Sequence, residues 1–395
     1  MIANYRLFIN FKDTIMFKKI SSFFVILLPV CLFSQTEAID RPLQYLSANK
    51  MSPQEYIVSK FATRDIVLLS EEHRIKENLE LVKSLIPFLY KNGVYTIGME
   101  FGASENQKTL DSLILAPEYN ENIARKLMFN YNSGWVFKGY TDIYKAAWLF
   151  NKSLPESAKK FRILNLSYRY NWSSFSGYRT PEKMMKVFYK GNTEIYRFGI
   201  VEKEIMTKDD KILILTGDIH AFTRYKFPVY DFLGEDFVRL ENGYFGNLLY
   251  AKYPQKVYTV LLHKPFMNRP DTKPELVSPA NGAIETIMQK MEYEPVGFDL
   301  VNTPLGKLRD DSYYSLGHKN CALEDIADGY VFLKPLKKLS GCDIDTAFLT
   351  EKNWEQAKEN VADPDWRPRP NSLEEYWKQI LEYADVPKKY AEVDK

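Results

Sequence analysis

The sequence predicts an α/β fold, a largely parallel sheet with helices on both faces, helical insertions and a C-terminal helix. Two observations predict it. Short runs of β-branched and aliphatic residues recur along the chain, with longer stretches of helical apolar spacing between them. Several of those short runs are apolar throughout rather than alternating, as in strands covered on both faces.

The elements follow in order. Ile66-Val67-Leu68-Leu69 reads as a buried strand. Glu77 to Tyr90 carries a helical stripe at Leu79, Val82, Leu85, Ile86 and Leu89, and Asn92-Gly93 ends it as a C-cap. Tyr95 to Met99 is the next strand, and Ser104 to Leu115 the next helix, with Ser104 as its expected cap. Tyr140 to Asn151 reads as helix and Phe161 to Leu166 as strand. Lys211 to Thr216, Val257 to Leu262 and Gly329 to Leu333 are further strands. Residues 264–320 are rich in Pro, Asn and Gly and read mainly as loop, with one helix near Ile284 to Met291. An amphipathic helix from about Leu373 to Tyr383 is expected to pack on the domain edge. No clean break divides residues 39–395, which read as a single α/β domain.

Composition narrows the function classes. The chain has 395 residues, 45% of them hydrophobic and 26% charged, an ordinary globular balance. Its formal charge of +2 arises wholly in residues 1–38; the remainder balances. A neutral body exerts no general pull on nucleic acid or anionic lipid, so no nucleic-acid partner is expected.

Residues 1–38 have the layout of a secretory signal. Lys18 and Lys19 precede an apolar run from Ile20 to Phe33, broken only by Ser21 and Ser22, and polar residues follow. Cleavage after Ala38 or Gln35 fits the small and polar residues there, and Met16 is a better-placed start than Met1. The run is shorter than the roughly 20 residues of a permanent span. Leu28-Pro29-Val30 lacks the small residue expected before a lipidated Cys31. An exported protein, periplasmic or extracellular, with no stable membrane span is therefore expected. Cys321 and Cys342 remain in the mature chain. A bridge between them would close a loop of about 20 residues, worth about 3 kcal/mol; two separate buried thiols are the equal alternative.

The chemistry gathers at strand ends. Of four histidines, His73 follows the first strand in Leu69-Ser70-Glu71-Glu72-His73, and His220 follows a later one in Thr216-Gly217-Asp218-Ile219-His220. Both segments run apolar strand, small residue, carboxylate, any residue, histidine. Glu100 ends a third strand in Gly98-Met99-Glu100-Phe101-Gly102, and His263 ends a fourth. In open α/β sheets, ligands bind at the carboxyl ends of the strands. Parallel strands would thus bring Glu71, His73, Glu100, Asp218 and His220 together as catalytic candidates. Histidine with carboxylate suits either of two tasks, holding a divalent transition metal through Glu71, His73 and His220, or acting as base and orienter. No G-x-S-x-G elbow, phosphate-binding glycine loop or H-E-x-x-H helix is present.

This pattern resembles the erythromycin esterase / ChaN haem-uptake / Tiki superfamily, whose members carry two G-x-x-H motifs and a pair of glutamates. Gly217-Asp218-Ile219-His220 matches the second motif; Ser70-Glu71-Glu72-His73 matches the first with Ser for Gly; Glu71 and Glu100 match the pair. The resemblance spans about Ile66 to Ala221, with a weaker echo in Asp328 to Pro335. It implies one of three activities: histidine-based ester or lactone opening without metal, metal-dependent peptide cleavage, or haem binding through tyrosine. For haem, Tyr168 in Tyr168-Arg169-Tyr170-Asn171-Trp172 is the candidate. The expected function is an exported, hydrolase-like protein acting on a small-molecule or peptide substrate, with a haem- or small-ligand-binding uptake protein as the alternative.

Overall fold

A computed structural model describes residues 39–230, 237–270, 272–364 and 369–395. The expected signal segment, with Cys31, lies outside them.

Among the described residues eleven strands occur in chain order: β1 (Ile66–Glu71), β2 (Thr96–Ala103), β3 (Arg162–Ser167), β4 (Ile212–Gly217), β5 (Phe227–Tyr230), β6 (Phe237–Glu241), β7 (Val257–Leu262), β8 (Phe266–Met267), β9 (Leu276–Val277), β10 (Val296–Asp299) and β11 (Gly329–Phe332). Seven build the central sheet in the order β10-β11-β7-β1-β4-β2-β3; β5 with β6 and β8 with β9 form two small hairpins. Every pairing in the central sheet is parallel except β10 with β11.

The apolar runs form strands because both faces are covered. Val67, Leu69, Leu213 and Leu215 point into a core shared with helices Lys76–Lys91 and Lys138–Ser153. Ile66, Leu68, Ile212 and Ile214 alternate onto the opposite face, against helices Thr193–Glu204 and Phe245–Lys252. The register carries the function, because β1 pairs β4 with Glu71 opposite Gly217. That places the two histidine motifs side by side at the sheet's carboxyl edge.

Several elements differ from expectation. Residues 264–320 contain the expected helix, as Ala283–Lys290, but also supply two short strands and the edge strand β10. β10 is only four residues long, and its Gly297 lies so close to the Tyr56 ring that an added Cβ would fall 2.4 Å from it. Glycine there permits close packing but weakens the strand signal. Ser104 is not a side-chain cap; it opens a short 3₁₀ turn before helix Gln107–Leu115, and its hydroxyl bonds the Tyr196 hydroxyl at 2.6 Å. Of the two alternatives for Cys321 and Cys342, the structure has separate buried thiols. Helix Leu373–Ala384 packs Tyr376 and Ile380 into the main core. Among the described residues no helix is long and apolar enough to cross a membrane.

Candidate functional site

Glu71, the last residue of β1, is buried to 1% exposure. Its Oε1 accepts from the Tyr140 hydroxyl at 2.9 Å and faces His73 Nδ1 at 3.1 Å. Burial pushes the Glu71 carboxyl above its ordinary value, against the opposing effect of the His73 and Tyr140 bonds. For His73, burial works downward, but the bond and charge of Glu71, then Glu100 and Glu72, raise it overall. The ring stands edge-on to Phe101 at 4.7 Å and Trp135 at 5.6 Å, which fixes its plane. No hydrogen bond reaches its Nε2 among the described residues, and the side chain keeps 28% exposure.

Gly217 explains the small residue of the second motif. Its φ of −59° suits any residue, so conformational freedom is not the reason. A Cβ there would lie 2.8 Å from His73 Cε1 and 3.0 Å from Nε2. Glycine lets one histidine loop lie against the other. Ser70 likewise sits inside β1, fully buried, without a left-handed backbone. The left-handed residue is Arg74, with φ 74°. Its buried guanidinium donates to the carbonyls of His73 at 3.0 Å and Tyr383 at 2.6 Å and lies over the Tyr383 ring, tying the His73 loop to the C-terminal helix.

Glu100 joins the two halves. Its Oε2 accepts from Thr216 Oγ1 at 2.7 Å and Gly217 N at 2.8 Å; its Oε1 lies 3.1 Å from Arg197 Nη2 and 3.3 Å from His220 Nε2. Burial opposes ionisation, yet His220, Arg197 and His73 with the Gly217 amide hold its carboxyl far below the ordinary range. His220 Nδ1 in turn bonds Glu194 Oε2 at 2.8 Å, so each ring nitrogen faces a carboxylate. Glu194 also accepts from Phe245 N at 2.9 Å and Arg197 Nη1 at 3.1 Å. Glu194 and Arg197, on helix Thr193–Glu204, are absent from the motifs. Their only sequence signal is a Glu-x-x-Arg spacing on one helix face, common on any solvated helix.

Asp218 points elsewhere. It opens the short helix Asp218–Ala221, in which residues two apart lie on nearly opposite sides, so its carboxylate diverges from His220. Asp218 Oδ2 meets Lys264 Nζ at 2.6 Å instead. Tyr168 is fully buried and its hydroxyl donates to the Gly191 carbonyl. His263 lies between the Tyr330 hydroxyl at 2.6 Å and Glu285 at 2.7 Å.

A cavity of about 250 Å³ opens on the His220 side of this centre, with Glu100, Arg197 and His220 at its polar side and Tyr131, Tyr170, Trp172 and Phe188 as aromatic walls; His73 is not among its lining residues. It is smaller than the roughly 300–1,000 Å³ of drug-sized ligand pockets. A larger groove of about 1,090 Å³ lies away from the motifs. Its charges pair with one another, as in Lys76 with Asp343 and Lys334 with Glu77.

No protein-family model matches the chain, and no curated protein is similar to it in sequence. Solved structures do resemble it. A succinoglycan biosynthesis protein aligns at 13% identity over 79% of this chain and 99% of its own, with a TM-score of 0.52. The likeness is one of fold. The erythromycin esterase EreC aligns at 13% identity, over 70% of this chain and 91% of its own, with a TM-score of 0.47. The haem-binding ChaN of Campylobacter jejuni aligns at 15% identity, over 55% and 88%, with a TM-score of 0.31.

The donor set does not form a metal sphere as it stands. Among the described residues no group of three or more His, Cys, Asp or Glu is placed to hold an ion. His73 Nδ1, both His220 nitrogens and Glu100 Oε2 already face protein partners. Tyr168, with its hydroxyl committed to Gly191, does not line the 250 Å³ cavity.

Proposed function

We propose that the protein is an exported hydrolase that cleaves an ester of a small molecule, with His73 as general base. The supporting observation is the asymmetry of the His73 ring. Nδ1 is held by a buried carboxylate that Tyr140 anchors, while Nε2 has no protein partner among the described residues. An imidazole so held keeps its proton on Nδ1 and presents the Nε2 lone pair to a water. As Nε2 takes the proton, Glu71 stabilises the imidazolium that forms. Arg197 and His220, held in place by Glu100 and Glu194, line the neighbouring cavity.

The test is turnover of a panel of p-nitrophenyl esters and lactones by the purified protein, with a haemin titration alongside. Turnover abolished by His73→Ala supports the reading. A Soret shift with no turnover on any panel member would replace it with the ligand-binding alternative. Export rests on the basic-then-apolar order of residues 18–33. The secreted form is expected to begin at Ile39 or Thr36 on N-terminal sequencing; an uncleaved Met1 or Met16 would contradict it.

A further inference from the structure

The two histidine loops have a second side. Glu72 lies between Glu71 and His73, and Asp218 between Gly217 and His220. Both carboxylates meet Lys264, which is 4% exposed. Its Nζ lies 2.6 Å from Asp218 Oδ2, 3.0 Å from the Tyr314 hydroxyl and 3.8 Å from Glu72 Oε2. Against this cluster is a separate cavity of about 270 Å³. Ile219, Phe227 and Leu276 form apolar walls, and Lys264, Lys389 and Tyr390 lie on its polar side together with Glu72 and Asp218.

Tyr390 shows what the cavity lacks. It is 1% exposed, and its hydroxyl has no hydrogen-bond partner among the described residues. Buried polar groups in native proteins are nearly always paired, so an orphan at a cavity wall marks a place for a ligand atom. The charges give its sign. Lys264 meets both Asp218 and Glu72; Lys389 Nζ, 3.7 Å from Glu72 Oε1, lines the cavity, and Arg74 Nη2, 3.1 Å from the same oxygen, lies behind it. Three cations against two carboxylates leave one positive charge uncompensated. Burial also holds the Lys389 ammonium below its ordinary value, a loss that an added anion would reverse.

We propose that this cavity binds a small organic monoacid with a short apolar body, its carboxylate between Lys389 Nζ and the Tyr390 hydroxyl. The volume suits a ligand on the order of eight to ten non-hydrogen atoms, taking about 30 Å³ for each water-sized unit. Glu72 and Asp218 belong to the same loops as His73 and His220, so occupancy would brace the histidine site from behind. The binding site itself does not depend on the hydrolase reading.

Calorimetric titration of the full protein with hexanoate and phenylacetate, against hexylamine and hexanol, tests it. The two acids are expected to bind and the amine and alcohol not to. Tyr390→Phe, which removes only the hydroxyl, and Leu276→Trp, which fills the apolar end, are each expected to weaken hexanoate at least tenfold. Acids that bind no better than hexanol, or that bind both variants as tightly as the parent, would overturn the proposal. The two variants act at opposite ends of the cavity, so a folding defect in one leaves the other informative.

Discussion

Replacing Glu100 with glutamine is expected to lower the unfolding free energy by about 3–5 kcal/mol, the usual loss when one partner of a buried ion pair is removed. Glu100 is 6% exposed and Arg197 3%. The neutral amide leaves Arg197 with Glu194 as its only carboxylate among the described residues and removes the charge facing His220. The same residue sets an acid limit. A carboxyl whose native pKa lies far below its ordinary 4.5 contributes stability that is fully present above that value. That contribution is lost as the pH falls below 4.5 towards the native pKa. Urea midpoints taken across that window are expected to fall more steeply for the parent than for Glu100→Gln. Parallel curves, or a glutamine variant as stable as the parent at pH 7, would contradict the role assigned to Glu100.

His73→Ala is expected to reduce turnover of a cleaved ester by about 10²–10⁴-fold, the usual contribution of a positioned general base. The unfolding midpoint should change far less, since the ring is partly exposed and Glu71 keeps its Tyr140 bond. Gly217→Ala tests the same geometry without removing a reacting group. Its methyl would need room where His73 Cε1 and Nε2 lie, at 2.8 and 3.0 Å. The displaced ring is expected to lose on the order of 10- to 100-fold in turnover, because misplacement by an ångström can cost that much. Full activity in either variant would show that His73 is not the base.

Much of this arrangement is legible in the residues, for identifiable reasons. β1, β4 and β7 are buried on both faces, so their apolar runs are unbroken and stand out. Parallel pairing then converts a sequence coincidence, two histidines each three residues past a small one, into spatial neighbours. Asp218 shows where that logic stops. Alternation along an extended chain would set it beside His220, but one helical turn sends the two side chains apart. Glu194 and Arg197 are illegible for another reason. They reach the centre from the first two turns of a helix, and nothing local distinguishes them from a surface pair until that helix is packed on the sheet. Gly297 hides β10 in the same way, since a residue chosen for contact with Tyr56 weakens the strand pattern it belongs to.

The most direct measurement of the central claim is the pH dependence of kcat/KM for a cleaved ester, in parent and Glu71→Gln, after exhaustive chelation. His73 must be unprotonated to accept a proton, and Glu71 and Glu100 raise its pKa above the ordinary 6.5. The account predicts that the chelated parent stays active, with a rate that rises through a midpoint above 6.5 and then levels. In Glu71→Gln the midpoint should move down, because the charge that lifts His73 is gone while its burial remains. A flat profile, an unmoved midpoint, or a chelated protein that is inert until a transition metal is restored would contradict it.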